Sequence, residues 1–269
     1  MIRRGQSMAM VKSRGRSTYK TMGFVLGAVD YGDSDRIVTF YTDRFGKLKG
    51  IAKGARRSVK RFANAIELFS LSTIIFSRTR ETGFAFIDNC DVMNHYPGIR
   101  HDLEKLLSAS YIVELIDQMT VEGKNNHMLF QHVRTFLDLI ETNLYSDNLI
   151  RFFELRLLRH SGYDPVLDHC IICNTPIDAM ENPCFSAMDA GIRCTRCRNG
   201  GNAHIPVSVG TLKALIMSRQ IDIDKINRLS LSRQSLKESE ELLGSLIEHT
   251  IGKQLKSLKI LRQIQKMVE

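Results

Sequence analysis

The sequence predicts an α+β fold: a five-stranded barrel at the front, then a helical region that a cysteine-rich segment interrupts. Three observations carry this. Residues 18–95 hold five short runs rich in Val, Ile, Phe, Tyr and Thr, parted by turn signals. From about residue 99, apolar residues recur at helical spacing. Two C-x-x-C pairs fall within an irregular stretch at 166–204. At 269 residues the chain is long enough for two domains with a core each. The predicted organisation is an arm at 1–17, a barrel at 18–95, a helical domain at 96–165 and 205–269, and a cysteine module at 166–204.

Residues 1–17 are polar and basic, with Arg3, Arg4, Lys12, Arg14 and Arg16. So few apolar residues cannot offset the entropy of ordering, which predicts a mobile arm. A phosphate-sweeping arm and an inert extension both fit. The five strands are TMGFVLGAV, DRIVTFYT, GKLKGIAKG, IELFSLSTIIFS and GFAFIDNCDVM. DYGDSD, DRFG, a basic loop and RTRETG separate them. Five strands with no helical period between them describe a small Greek-key barrel. Both the OB-fold and an SH3-like barrel suit the spacing.

In the helical region, Leu103, Leu106, Leu107, Tyr111, Leu115 and Met119 form a first stripe. Leu129, Val133, Phe136, Leu137, Ile140 and Leu144 form a second. Ile150, Phe153 and Leu157 form a third, with Arg159 and His160 in the last turn and Gly162 as the stop. Asp164-Pro165 then blocks continuation. Helical pattern returns near 208–219 and again near Ser235, where Ser235 and Glu238 have capping-box spacing. Leu242, Leu243, Leu246, Ile247 and Ile251 follow.

Net charge is +9, and it is segregated. Residues 1–87 hold 17 Lys/Arg against 6 Asp/Glu; the remainder holds 21 against 23. This is the footprint of a polyanion-binding module joined to a neutral domain. No apolar run approaches the ~20 residues of a membrane span. MIRRGQSMAM has no apolar segment behind its charges, so it does not read as a secretory signal. A cytoplasmic protein without a membrane partner is expected.

The strongest local signal is Cys170-Ile-Ile-Cys173, 20 residues, then Cys194-Thr-Arg-Cys197. Each C-x-x-C turn aims two sulfurs at one point, and two facing turns close a tetrahedral zinc site. Four protein ligands leave no open position for water, so the expected Zn2+ is structural. A redox dithiol needs only one such pair, at a helix start after a strand. Cys90 is expected as a strand residue and Cys184 as a packed thiol within the module; His169 and His204 flank the module and could replace a Cys ligand, but four Cys suffice.

The second signal is the loop and its approaches at 44–62: Arg44, Lys47, Lys49, Lys53, Arg56, Arg57, Lys60 and Arg61. Eight cations in 19 residues, with no acid from 44 to 66, repel one another unless an anion lies among them. A phosphate backbone fills that role and gives salt-sensitive, sequence-independent affinity. Tyr31, Phe40, Tyr41, Phe45 and Phe62 lie nearby in sequence, and Phe62 and Tyr31 are the candidates to stack bases. A basic amphipathic tail closes the chain: Lys253, Lys256, Lys259, Arg262 and Lys266 beside Leu255, Leu258, Leu261 and Ile264. Partner docking, DNA contact and an ordinary surface helix all fit it. The P-loop, H-E-x-x-H and G-x-S-x-G signatures are absent. Asp30, Asp33 and Asp35 sit in a turn, where backbone geometry accounts for them better than a nuclease metal. A non-catalytic protein with no small-molecule substrate is expected.

GFVLGAVDYGDSDRIVTFYTDRFGKLKGIAKGARR resembles the opening of the RecO family of recombination mediators. IELFSLSTIIF, RHSGYDPVLDHC and the paired cysteines extend the resemblance over roughly residues 20–265. It implies an N-terminal OB-fold and a helical C-terminal domain carrying an inserted zinc module. It further implies a nucleoid-associated protein that anneals single-stranded DNA, also meets double-stranded DNA, and acts with RecR to load RecA onto strands coated by single-strand binding protein, whose acidic tail is a ligand. Carried over by residue, the DNA-facing loop falls on Lys53, Arg56, Arg57, Lys60 and Arg61, and the metal ligands on Cys170, Cys173, Cys194 and Cys197. The basic arm and Ala190-Gly191, where many members have a Gly pair, are departures. An RNA-binding or translation-associated OB/zinc protein would share this fold and charge.

Overall fold

Alternating burial sets the sheet. In the computed structural model, which describes residues 12–13, 16–58, 60–78, 83–142, 147–198, 204–260 and 263, the front of the chain is strand. The strands are β1 (Lys12–Ser13), β2 (Arg16–Tyr31), β3 (Asp35–Thr42), β4 (Gly46–Ala52), β5 (Leu71–Arg78) and β6 (Ala85–Asn94). The hydrogen-bonded order β2-β3-β4-β6-β5 closes through a β2–β5 pairing, and only β4–β6 is parallel. That ring of five strands, with the third beside the fifth, is the OB order rather than the SH3-like one. Within the ring β2 serves two neighbours, besides its short pairing with β1: residues 17–24 pair with β5 and 23–31 with β3. Gly23 lies where both meet, and a Cβ there would sit 2.7 Å from Ile74 Cδ1.

The inward residues Val25, Val38, Phe40, Leu48, Ile74, Phe76 and Ile87 fill the barrel. At one end the connection from β4 to β5 turns inward and plugs it with Ala55, Phe62, Ala65 and Ile66. Two expectations are corrected here. Lys12–Ser13 pairs with Ser17 and Arg16, so the end of the expected mobile arm belongs to the sheet; residues 1–11, 14 and 15 lie outside the described residues. The strand expected to begin at Ile66 begins at Leu71, because Ala65 and Ile66 belong to the plug.

The chain divides into two compact units, 1–97 with 120–131, and 98–119 with 132–269. The sequence reading assigned 120–131 to the helical domain; it belongs to the barrel unit. Backbone contacts explain why. Glu122 forms a parallel bridge with Lys47, and Gly123 N–H donates to the Lys47 carbonyl at 3.1 Å. β4 meets β6 only over 50–52, so residues 120–123 occupy a stretch of edge that would otherwise stand open. Gly46 permits the approach: its φ is +62°, and a Cβ would lie 2.0 Å from the Lys124 carbonyl oxygen. Tyr41 donates to the Asn126 carbonyl at 3.3 Å, and burial pushes its phenol up to about 12.

The second unit contains α1 (Pro97–Arg100), α2 (Leu103–Met119), most of α3 (His127–Thr142), α4 (Asp147–His160), α5 (Val209–Gln220) and α6 (Arg233–Ile251). α4 is its centre. Burial covers residues all round it, Arg151 and Glu154 included, beyond the single stripe expected. Arg151 pairs with Glu154 at 3.0 Å, and Tyr111 donates to the same carboxylate. Gly162, at φ +85°, ends α4 as expected. The α3 stripe is buried, whereas Leu103 at the start of α2 is exposed; Leu144 lies outside the described residues. α6 starts two residues before Ser235, and its cap is Ser232, which accepts from Ser235 N–H. Glu238 does not close a box with Ser235; it accepts from Ser208 and Thr211 and holds the start of α5. In the tail, Leu255 and Leu258 are buried while Lys253, Lys256 and Lys259 are exposed, so the described apolar side is used in packing. Arg262 and Lys266 lie outside the described residues. Among the described residues no helix is long and apolar enough to cross a membrane.

Candidate nucleic-acid interface and metal centre

The basic loop leaves β4 at Ala52 and is pinned from beneath. Gly54, at φ +67°, donates its N–H to Asp35 Oδ1 at 2.8 Å. Arg56 N–H donates to the Ser34 carbonyl, and Arg57 and Ser58 N–H donate to the Gly54 carbonyl. The β2–β3 turn thus anchors the loop, which explains Asp35. Asp30 receives Arg36 at 3.0 Å and Arg56 at 3.4 Å. Among the described residues the three aspartates form no ligand cluster.

Lys53, Arg56, Arg57, Lys60 and Arg61 are all exposed, and no ion pair neutralises Arg57 or Lys60 among the described residues. Arg61 also holds the loop: it donates to the Lys53 carbonyl at 2.7 Å and lies 5.1 Å over the Phe62 ring. Lys47 and Lys49 are placed differently. Lys47 Nζ donates to the Thr120 carbonyl at 3.3 Å, and Lys49 pairs with Glu122 at 2.9 Å. Sequence could not show an acid 73 positions away lying on β4. Of the two candidate stacking residues, Phe62 is corrected: it is 3% exposed and plugs the barrel. Tyr31 is 52% exposed at the end of β2. Phe40 and Tyr41 are buried, and Phe45 packs partly against the core with Tyr19 and Phe76.

The cysteine segment is built on a small sheet: β7 (Cys184–Ser186) between β8 (Gly191–Arg193) and β9 (Ile205–Pro206). The first knuckle turns at Asn174, φ +55°, whose N–H donates to the Cys170 carbonyl. Ile171 N–H donates to the Ile192 carbonyl at 3.0 Å, tying that knuckle to β8. Gly191 makes the join possible, since a Cβ would stand 2.4 Å from Ile171 Cγ2. Ala190 beside it has φ +49°, a conformation that glycine adopts without strain. The second knuckle opens a 3-10 turn, Thr195–Cys197, and Cys194 N–H donates to Cys170 Sγ at 3.4 Å.

The Sγ atoms of Cys170, Cys173, Cys194 and Cys197 all lie within 4.8 Å of one another, and Cys173 and Cys194 are 3.6 Å apart. A tetrahedron with ~2.3 Å metal–sulfur bonds has edges of about 3.8 Å, so the donor set fits a metal ion. The thiols also oppose one another. Hydrogen bonds from Thr175 hold Cys173 down to about 6, while the Cys197 thiol, hydrogen-bonded to Cys173, is pushed up to about 12. Four thiolates at this spacing would repel one another, and a metal ion among them would relieve that repulsion. Cys184 is buried with its sulfur toward the Arg193 carbonyl, and Cys90 is buried in β6. Among the described residues, His169 and His204 stand outside the cluster, and His169 pairs with Asp168.

The comparisons with known proteins cover the same two parts. Residues 16–96 match the family model described as recombination protein O N terminal, and residues 100–259 match recombination protein O C terminal. A DNA repair protein RecO of Syntrophus aciditrophicus (strain SB) is 45% identical over 254 residues, covering 94% of this chain and 98% of the relative. The DNA repair protein RecO of Geobacter metallireducens is 36% identical over 248 residues, covering 91% and 98%. That of Desulfatibacillum aliphaticivorans is 32% identical over 253 residues, covering 91% and 97%. With both halves matched in order on an OB barrel and a helical unit, this chain belongs to the RecO family.

Proposed function

We propose that this protein acts in DNA repair as a non-catalytic recombination mediator. It binds and anneals single-stranded DNA, also meets double-stranded DNA, and helps load RecA onto strands coated by single-strand binding protein. RecR and the acidic tail of the coat protein are its protein partners, and it works in the cytoplasm at the nucleoid. The observation that carries this reading is the exposed cation set Lys53, Arg56, Arg57 and Lys60, held on a pinned loop with Arg61 as its brace. Phosphates of two strands neutralised there repel one another less, so complementary bases meet at raised local concentration. No nucleotide and no covalent step are needed. The four cysteines hold a structural Zn2+ whose role is to fold residues 166–204, since all four positions are protein sulfur.

The test is annealing of complementary oligonucleotides by purified protein. Without nucleotide it should accelerate, on bare strands and on coated ones. Failure to anneal, or tighter binding to RNA in direct competition, would overturn the reading in favour of an RNA-binding role.

A further inference from the structure

The four sulfurs of the cysteine cluster differ sharply in their access to water. Cys170 is 0% and Cys194 5% exposed, Cys197 is half-buried, and Cys173 stands open to solvent. The local fold explains the difference. Cys170 leads into the join where Ile171 N–H donates to the Ile192 carbonyl. Cys194 directly follows β8, and its N–H donates to Cys170 Sγ. Cys173 sits at the far end of the first knuckle, with Ile172 and Asn174 exposed on either side of it. Its sulfur lies 3.1 Å from Thr175 Oγ1 and 3.6 Å from Cys194 Sγ. An oxidant in water therefore meets Cys173 before the other three, and a sheltered sulfur stands directly behind it.

From this we infer that Cys173 is a modification site, the point at which a peroxide opens the cysteine cluster, with Cys194 as the resolving thiolate. The inference rests on the proposed metal, because a metal-bound cysteine is held as the thiolate that attacks peroxides. The Cys173 sulfur attacks one oxygen of hydrogen peroxide. An S–O bond forms, the O–O bond breaks, and the departing hydroxide takes up a proton as water, leaving a sulfenic acid. The Cys194 sulfur then attacks that of Cys173. The S–S bond forms, the S–O bond breaks, and a second hydroxide leaves and is protonated. Two thiolates, one peroxide and two protons thus give one disulfide and two waters; the sulfurs lose the two electrons that the peroxide gains. The approach is short, from 3.6 Å to the about 2.05 Å of a disulfide bond. One donor is taken from each knuckle, so neither C-x-x-C pair stays whole to hold an ion. Thr175 opposes the first step, since its hydroxyl donates to the Cys173 thiolate and draws electron density from it. The effect reaches past the cluster. β9 pairs with β7, Val207 N–H donates to the Pro183 carbonyl at 3.2 Å, and the next residue, Ser208, caps α5. Opening the cluster therefore loosens the start of α5.

The test begins with the zinc content of the full chain, purified without chelator. Hydrogen peroxide is then added while a colorimetric chelator reports zinc release and alkylated peptides are mapped by mass. Bound zinc should be lost completely, with Cys173–Cys194 as the first disulfide formed. Dithiothreitol with added Zn2+ should restore the bound metal. Thr175→Val keeps the shape of the side chain and removes its hydroxyl, so release should quicken roughly two- to tenfold, the range one hydrogen bond spans. Zinc retained under excess peroxide, a first disulfide without Cys173, or an unchanged rate in zinc-loaded Thr175→Val would overturn the inference and leave the metal itself standing. A chain that holds no zinc before peroxide is added, and takes none up, removes both.

Discussion

His132 makes the second unit acid-sensitive by an amount that can be worked out. Its ring is buried in α3, stacked on Phe153 at 5.2 Å, with Phe136 at 4.7 Å and His160 at 5.2 Å. Burial first, and then the neighbouring His160, lower its pKa from the ordinary 6.5 to about 3. The folded protein therefore keeps the ring neutral where the unfolded chain binds a proton. Stability from this group is fully present above pH 6.5 and is lost as pH falls toward 3. At 1.36 kcal/mol per pKa unit, lowering pH from 7.5 to 5 costs about 2 kcal/mol, and the whole shift costs about 5 kcal/mol. His160 is lowered too, also first by burial, and adds in the same direction. Urea unfolding followed by helical circular dichroism at pH 7.5 and 5 measures the loss. His132→Phe, which keeps the aromatic packing, should recover most of that difference. Identical pH dependence in both proteins, or a His132 resonance titrating near 6.5, would refute the assignment.

Three further outcomes follow from the geometry. Ala190→Gly relieves a positive φ of 49° and should stabilise the protein by about 0.5–1 kcal/mol; an unchanged or lowered thermal midpoint contradicts this. Glu122→Gln removes the carboxylate on Lys49 and should steepen the salt dependence of single-strand binding by about 0.7 in log–log slope, while a flat response would show that Lys49 stays out of reach of DNA. Elemental analysis should find one zinc per chain, lost in Cys173→Ser, with a lowered thermal midpoint and an unchanged salt slope; a changed slope would give the metal module a direct part in DNA binding.

What could be read from sequence was what local patterns encode. Runs of β-branched and aromatic residues between turn signals exposed β3 and β4, a 3.6-residue period exposed α3, and fixed spacing exposed the four cysteines. What could not be read depended on distant backbone. Residues 120–126 carry no apolar pattern, and Val121 is exposed; they join the barrel through main-chain hydrogen bonds and the absent side chain of Gly46. Phe62 reads as a candidate for stacking because it lies beside the basic loop in sequence, yet it is buried in the barrel core. Glu238 stood three residues from a serine, the spacing of a local cap, and serves α5 instead. The loop cations were legible individually, but which of them also brace the loop was not. Arg61 and Arg56 spend part of their bonding on Lys53 and Asp30, whereas Arg57 and Lys60 face solvent.

The central claim is that phosphate is held by Lys53, Arg56, Arg57 and Lys60, and salt titration of single-strand binding tests it most directly. Changing all four to alanine, with Arg61 left in place to keep the loop folded, should flatten the log–log salt slope by about 2.8, at ~0.7 for each cation on a single strand. A variant that folds normally and keeps the native slope would contradict the account.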